Sequence, residues 1–224
     1  MSERGMQIVR GKRLAEFGSD ELTDFVGMAG RVVVDVGTGD GRTAYRLAKA
    51  NPDWRVIGLD PAWQRMSEIS TKSSRKPAKG GTPNLLLVNA AVEAVPASLH
   101  GIADQLLVLM PWGKLLRGVV AGEADVCGGL RRLAKPGTML DILIGASIWE
   151  EPVPLDIRDL PRLTPEYVDS ELGSRLADSG WKVTDMTLGT SLDVDWMTSS
   201  WSRRLASSAP EPIARIQSLA LDHL

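Results

Sequence analysis

The stretch Val32-Val33-Val34-Asp35-Val36-Gly37-Thr38-Gly39-Asp40-Gly41-Arg42 decides the fold. Its β-branched run reads as a buried strand, because branching at Cβ suits the pleated backbone. The run stops at an acid and passes into glycines at alternate positions. A helical pattern opens behind them, with Ala44, Leu47 and Ala48 at i, i+3 and i+4. Strand, glycine loop and helix in that order build a ligand cradle. Glycine lets backbone approach closely, and the helix start offers free N–H groups.

Outward from this stretch the same grammar repeats. Trp54–Asp60 is a second strand closing on an acid, and Pro61 suits the first position of a helix reaching about Ser74. Asn84–Asn89, Asp104–Met110 and Met139–Ile144 read as further strands. Leu115 to Ala134 can be helical, with glycines weakening its middle, Thr164-Pro165 opens a further helix that ends at Gly180, and Trp181–Leu188 and roughly Met197–Leu205 are the last strands. Upstream, Met6–Val9 and Arg13–Phe17 flank Arg10-Gly11-Lys12 as a hairpin, and Ser19 is placed to cap a helix over Asp20–Val26. Alternating strands and helices imply a mostly parallel sheet with helices on both faces, seven strands here plus the hairpin. The expectation is a single domain over 1–224, with a hairpin extension at 1–18 and a functional loop insert at 145–163. Ligands of such sheets sit at the carboxyl ends of the strands. Asp35, Asp60, Asn89–Glu93 and Met110–Trp112 all fall there.

Composition bounds the partners. The chain has 224 residues, 43% of them hydrophobic, enough for a proper core. It contains no run of about 18 apolar residues and no apolar signal core near its start, so neither a membrane nor export is expected. The one cysteine, Cys127, fits a reducing cytoplasm. The net charge of −2 hides an uneven distribution: residues 1–13 carry +3, residues 61–84 carry +4 and residues 150–195 carry −7. The near-neutral average therefore hides a dipolar surface, which ordinary solvated helix faces would also give.

Asp60 lies 23 residues after Gly37, where an acid accepts hydrogen bonds from a ribose diol. NAD would satisfy that acid equally. The loop, however, is D-x-G-x-G-x-G. It resembles motif I of the class I S-adenosylmethionine (SAM) methyltransferases, whose Rossmann-like fold the element order matches. That resemblance implies SAM as cofactor. It implies that Asp35 with Gly37, Thr38 and Gly39 holds the amino-acid part, that Asp60 with Pro61 holds the ribose, and that Ala91, Val92 and Glu93 hold the adenine.

The fourth strand end carries the substrate signal. It reads Leu109-Met110-Pro111-Trp112-Gly113, with neither Asn-Pro-Pro-Tyr nor a Pro-Cys nucleophile. A Trp beside a proline and a glycine at a strand terminus is a flat stacking platform displayed over the cofactor site. A second Trp stands in Ser199-Ser200-Trp201-Ser202-Arg203-Arg204-Leu205. Together "DVGTGDGR", "RKPAKGG", "MPWGKLLRG" and "SSWSRRL" resemble the aminoglycoside-resistance 16S ribosomal RNA (adenine-1408) N1-methyltransferases, the kanamycin–apramycin resistance group. The resemblance implies a flipped adenine held between Trp112 and Trp201. The Pro111 carbonyl would accept from its N6 amino group, and Met110 and Ser199 would border the cofactor. Adenine N1 is already a nucleophile at neutral pH, so no strong base, and no metal, is expected.

By the same resemblance Lys72, Arg75, Lys76 and Lys79 meet the rRNA backbone, joined by Arg158 and Arg204, with the acid Glu151 near the flipped base. The implied partner is the 30S subunit, with no DNA and no membrane, and the chain is expected to act as a monomer. Two positions depart from the family. After Leu205 only Arg215 remains of its further arginines, and Lys114 replaces a Thr of some relatives. A tRNA guanine-N7 methyltransferase, or a weakly active ribosome-binding factor that keeps the SAM fold, are the other readings the sequence leaves open.

Overall fold

A computed structural model describes residues 6–27, 29–190 and 212–222. Its strands are β1 (Met6–Arg10), β2 (Arg13–Phe17), β3 (Arg31–Val36), β4 (Trp54–Leu59), β5 (Leu85–Val88), β6 (Ala103–Leu109), β7 (Ala134–Gly145), β8 (Trp181–Thr190) and β9 (Pro212–Ala220). Its helices are α1 (Ser19–Val26), α2 (Arg42–Ala50), α3 (Ser67–Ser73), α4 (Gly113–Ala121), α5 (Ala124–Leu133), α6 (Leu155–Arg158), α7 (Pro165–Tyr167) and α8 (Gly173–Asp178).

The nine strands among the described residues join one sheet in the order β2-β1-β5-β4-β3-β6-β7-β9-β8. Six of the expected strands, β3 to β8, run in one direction, and an unexpected strand, β9, lies reversed between β7 and β8. The hairpin is an edge of that sheet rather than a separate appendage, because Ile8 pairs with Val88. The order turns back at β3, which pairs with β4 on one side and β6 on the other. That switch point opens a crevice at the carboxyl ends.

Both sheet faces are covered around β3, as its unbroken apolar run requires. Val32, Val34 and Val36 pack into the large core with Leu116, Leu130, Leu133 and Leu176 from α4, α5 and α8. Val33 joins Leu107 and Leu143 on the opposite face. There α2 and α3 supply Ala44, Ala48, Tyr45 and Ile69.

Several local expectations change. The chain over Leu115 to Ala134 turns at Gly122 and forms two helices, α4 and α5, rather than one. Pro61 precedes its helix, which opens as a 3₁₀ turn at Trp63–Met66, because Asp60 Oδ1 first captures the Ala62 N–H at 2.8 Å. Gly18, not Ser19, caps α1, and Glu21 reaches back to accept the Gly18 N–H at 2.9 Å. Residues 197–205, expected as a strand, lie outside the described residues, and the strand between β7 and β8 is Pro212–Ala220. Arg215, the one remaining C-terminal arginine, is drawn into that sheet. Its guanidinium donates to the buried Asp141 carboxylate at 2.6 and 3.1 Å, beside Gln217 and Gln105, each at 3.0 Å.

Candidate active site

At the crevice the strand ends enclose a cavity of about 650 Å³. Ligand pockets commonly span roughly 300–1,000 Å³. Its walls carry the motif-I loop, Asp60 and Pro61 after β4, Ala91–Glu93 after β5, and Met110–Trp112 after β6. Twelve residues singled out from the sequence, from Asp35 to Trp112, therefore meet around one space.

The loop is held by bonds that its composition makes possible. Gly37 and Thr38 both donate their N–H to the Leu59 carbonyl, at 2.8 and 3.1 Å. Gly37 has φ 72°, a conformation that strains any residue with a side chain, and a Cβ there would stand 2.5 Å from Leu115 Cδ2, so the Leu115 side chain would have to shift. The loop is tied across to β4: Asp60 Oδ2 accepts the Gly39 N–H at 2.9 Å. Asp60 thus fastens the loop to its own strand end, and each oxygen keeps a lone pair for a diol.

Asp35 is 1% exposed. Desolvation pushes its pKa from 3.8 up to about 6, the Thr38 hydroxyl bond opposes that rise, and the nearby Asp60 and Asp40 add to it. A buried carboxylate of this kind gains most from a cationic ligand group.

After β6 the backbone departs from the ordinary. Met110 has φ 49°, rare for a side chain of this size. Its N–H donates to the Leu143 carbonyl at 2.9 Å, so pairing with β7 enforces the turn. Pro111 is buried behind it, while Trp112 stands at the start of α4 with 58% of its surface exposed. The indole lies on the cavity wall and in solvent at once.

Lys114, just beyond it in the first turn of α4, lies 3.1 Å from Glu93 and 2.7 Å from Asp125. These interactions raise its pKa and lower that of Asp125. The departure at this position therefore ties α4 to the Glu93 segment and to α5 beside the pocket.

Sequence reasoning missed Gly145 at the end of β7, Ser147 and Ile148 just after it, and Arg65 and Leu115. The strand-end rule, applied to the fifth parallel strand, was signal enough for Gly145. Leu115 and Arg65 come from helices whose angle no local pattern reveals. Cys127 sits buried in α5, its thiol pushed up to about 12 by burial, and takes no part in the site.

Of the charged positions, Lys72, Arg75, Lys76 and Lys79 lie exposed in α3 and the loop after it. That loop is built, not slack. Tyr45 donates its hydroxyl to the Gly80 carbonyl at 2.7 Å, the Thr82 N–H reaches the Ser73 carbonyl at 2.9 Å, and Lys72 Nζ sits 4.6 Å from the Tyr45 ring centre. Arg158, in α6, pairs with Glu151 at 3.3 Å in the loop that leaves the cavity wall at Ser147 and Ile148. Ser199, Trp201 and Arg204 lie outside the described residues. Among the described residues no helix is long and apolar enough to cross a membrane.

The family model described as 16S rRNA (adenine(1408)-N(1))-methyltransferase matches residues 7–220 of the chain. A protein of that name from Streptoalloteichus hindustanus is 40% identical over 203 residues, 91% of this chain and 93% of the relative. A mutant of the enzyme so named from Catenulisporales acidiphilia, crystallised with cosubstrate SAM, is 56% identical with a TM-score of 0.91, over 97% of this chain and 98% of that one. The crystal structure of the antibiotic-resistance methyltransferase Kmr is 36% identical with a TM-score of 0.83, over 98% and 100% of the two chains.

Proposed function

Starting from the fact that the chain belongs to the 16S rRNA (adenine(1408)-N(1))-methyltransferase family, we propose how its residues carry out that reaction. The enzyme methylates N1 of adenine 1408 in 16S rRNA with SAM, a modification that gives aminoglycoside resistance. The observation that carries the residue-level reading is one largely exposed Trp, Trp112, on the wall of the motif-I cavity.

The residues present fit SAM. The raised pKa of Asp35 marks a buried carboxylate short of a counter-cation, and the cosubstrate's ammonium provides one. Asp60 keeps free lone pairs for the ribose hydroxyls, and Ala91, Val92 and Glu93 line the wall for its adenine. When bound, SAM supplies a methyl group on a positively charged sulfur, which a neutral ring nitrogen can take without prior deprotonation.

The protein's own work is then placement. Trp112 stacks on the flipped base, and Trp201 is assigned its other face. Stacking is worth about 1–3 kcal/mol per base, comparable with the few kcal/mol of unstacking. The Pro111 carbonyl accepts from the adenine N6 amino group and so discriminates against guanine, which presents an oxygen there. Rate comes from holding N1 in a reactive orientation, a gain that positioning alone can make large. The indole faces also favour the cationic ring of the product.

Docking falls to Lys72, Arg75, Lys76, Lys79, Arg158 and Arg204 against phosphates of the 30S subunit, with Glu151 near the base. Released by phosphate from its 3.3 Å pair with Glu151, Arg158 would turn from a protein partner to an RNA partner. We assign this activity to a cytoplasmic monomer of one domain that does not use DNA. The large exposed apolar side chains among the described residues, Trp112, Leu155, Leu188 and Leu221, are scattered over four elements and loops. Methylation assays on 30S subunits with Trp112→Ala test the stacking role: SAM affinity stays and turnover falls.

A further inference from the structure

We propose that the tip of the N-terminal hairpin, Lys12 and Arg13, extends the basic segment after α3 into one continuous surface for the rRNA backbone. The proposal rests on the reading of Lys72, Arg75, Lys76 and Lys79 as rRNA-binding residues.

The two basic clusters are separated by some sixty residues of sequence, yet one buried side chain joins them. Ser70, 3% exposed, accepts the Gly11 N–H at 2.8 Å and donates to the Val9 carbonyl at 2.7 Å. One bond reaches the hairpin turn at Gly11 and the other the end of β1 at Val9, and Ser70 lies on α3 two residues before Lys72. The two segments stay close along the helix: a Cβ at Gly11 would stand 3.7 Å from Thr71 Oγ1. The hairpin turn is therefore seated on the helix that leads into the basic loop.

The charges are arranged for an outside partner. Arg10 is taken up by Glu21 at 3.3 Å. Lys12 and Arg13 are exposed and form no ion pair among the described residues. The same holds for Arg75, Lys76 and Lys79. Like charges gathered within about one Debye length, ~10 Å at 0.1 M salt, repel each other. A phosphate backbone removes that repulsion and releases counterions as it binds. The Ser70 bonds keep the hairpin in place for this, so that its charge adds to that of the basic loop rather than moving independently.

The test is 30S binding as a function of salt, with SAM affinity and melting temperature measured alongside. The double variant Lys12→Glu/Arg13→Glu changes only exposed positions. Its affinity for 30S subunits should fall on the order of tenfold, and its plot of log K against log salt should flatten by about one for each phosphate left without its cation. SAM affinity and melting temperature should match the wild type. Lys182→Glu, an exposed charge reversal on β8 at the far edge of the sheet, should bind as wild type. Lys76→Glu/Lys79→Glu serves as comparator. If it weakens binding while Lys12→Glu/Arg13→Glu binds with wild-type affinity and slope, the hairpin surface is refuted and the loop reading survives. If neither double variant weakens binding, the loop reading fails and the hairpin proposal fails with it.

Discussion

Thr38 donates its hydroxyl to the Asp35 carboxylate across 2.6 Å, and both residues are buried in the wall of the cavity at the strand ends. That bond offsets part of the cost of burying Asp35 and leaves the rest for a ligand cation. The pKa of Asp35 rises from 3.8 to about 6, chiefly through desolvation. A carboxyl group with a raised folded pKa contributes stability below its unfolded value, and that contribution is lost as pH rises through about 6. Asp35→Asn should therefore raise the melting temperature of the ligand-free protein at neutral pH and above, by the equivalent of about 3 kcal/mol at most. The gap should close as the pH is lowered toward about 4. Calorimetric SAM affinity should drop on the order of 100-fold in the variant. Wild-type affinity should itself weaken as pH falls through about 6, with the variant lacking that dependence.

Trp112 is 58% exposed, so its loss should leave the fold alone. Trp112→Ala should melt within about 0.5 kcal/mol of wild type. Turnover on 30S subunits should fall roughly 5- to 150-fold, in line with the loss of about 1–3 kcal/mol of stacking. Trp112→Phe should recover part of that turnover, since a smaller aromatic face remains. Initial-rate methylation with SAM at saturation makes the comparison.

Lys114 neutralises Glu93 at 3.1 Å on the pocket wall. Lys114→Thr should free that acid to attract a cationic ligand. SAM, which carries one net positive charge, should bind several-fold more tightly. S-adenosylhomocysteine, which lacks the sulfonium, should bind as before. Calorimetric titration of both nucleosides checks the ratio, and an equal change in both would show that Lys114 acts by shape rather than charge.

Gly81 closes the basic loop at a point where a Cβ would stand 1.7 Å from the Arg75 carbonyl oxygen. Gly81→Ala should open the loop and destabilise the fold by a few kcal/mol, the range of backbone-clash substitutions. Affinity for 30S subunits should fall while SAM affinity holds, because the cavity lies at the other end of α3. Thermal melts and binding at fixed salt read the two effects separately.

The rim of the sheet was legible in the sequence because each strand signed its own end. Val34-Asp35, Leu59-Asp60 and Leu109-Met110 are apolar runs broken by a turn or an acid, and the switch-point rule gathers such ends. Packing set by helix angles was not legible. Leu115 reaches Gly37 across the cavity, and nothing near either residue in sequence announces it. The helical stretch expected over Leu115 to Ala134 became two helices because chain reversal at Gly122 is a tertiary choice, which the apolar periodicity of α4 and α5 does not register. The role of Arg215 was equally hidden: its charge suggested RNA, but its partner Asp141 lies 74 positions away on β7. The tryptophan pair was legible only by resemblance, and Trp201 lies outside the described residues.

The most direct test of the account is to incubate the protein with radiolabelled SAM and, separately, 30S subunits, naked 16S rRNA and tRNA, and then to map reverse-transcription stops. A methyl on N1 blocks base pairing and halts the polymerase. The account predicts label in 30S subunits and a new stop next to adenine 1408, both lost with Asp35→Asn and strongly reduced with Trp112→Ala. Label in tRNA alone, or labelled 30S subunits without a stop at that adenine, would contradict it.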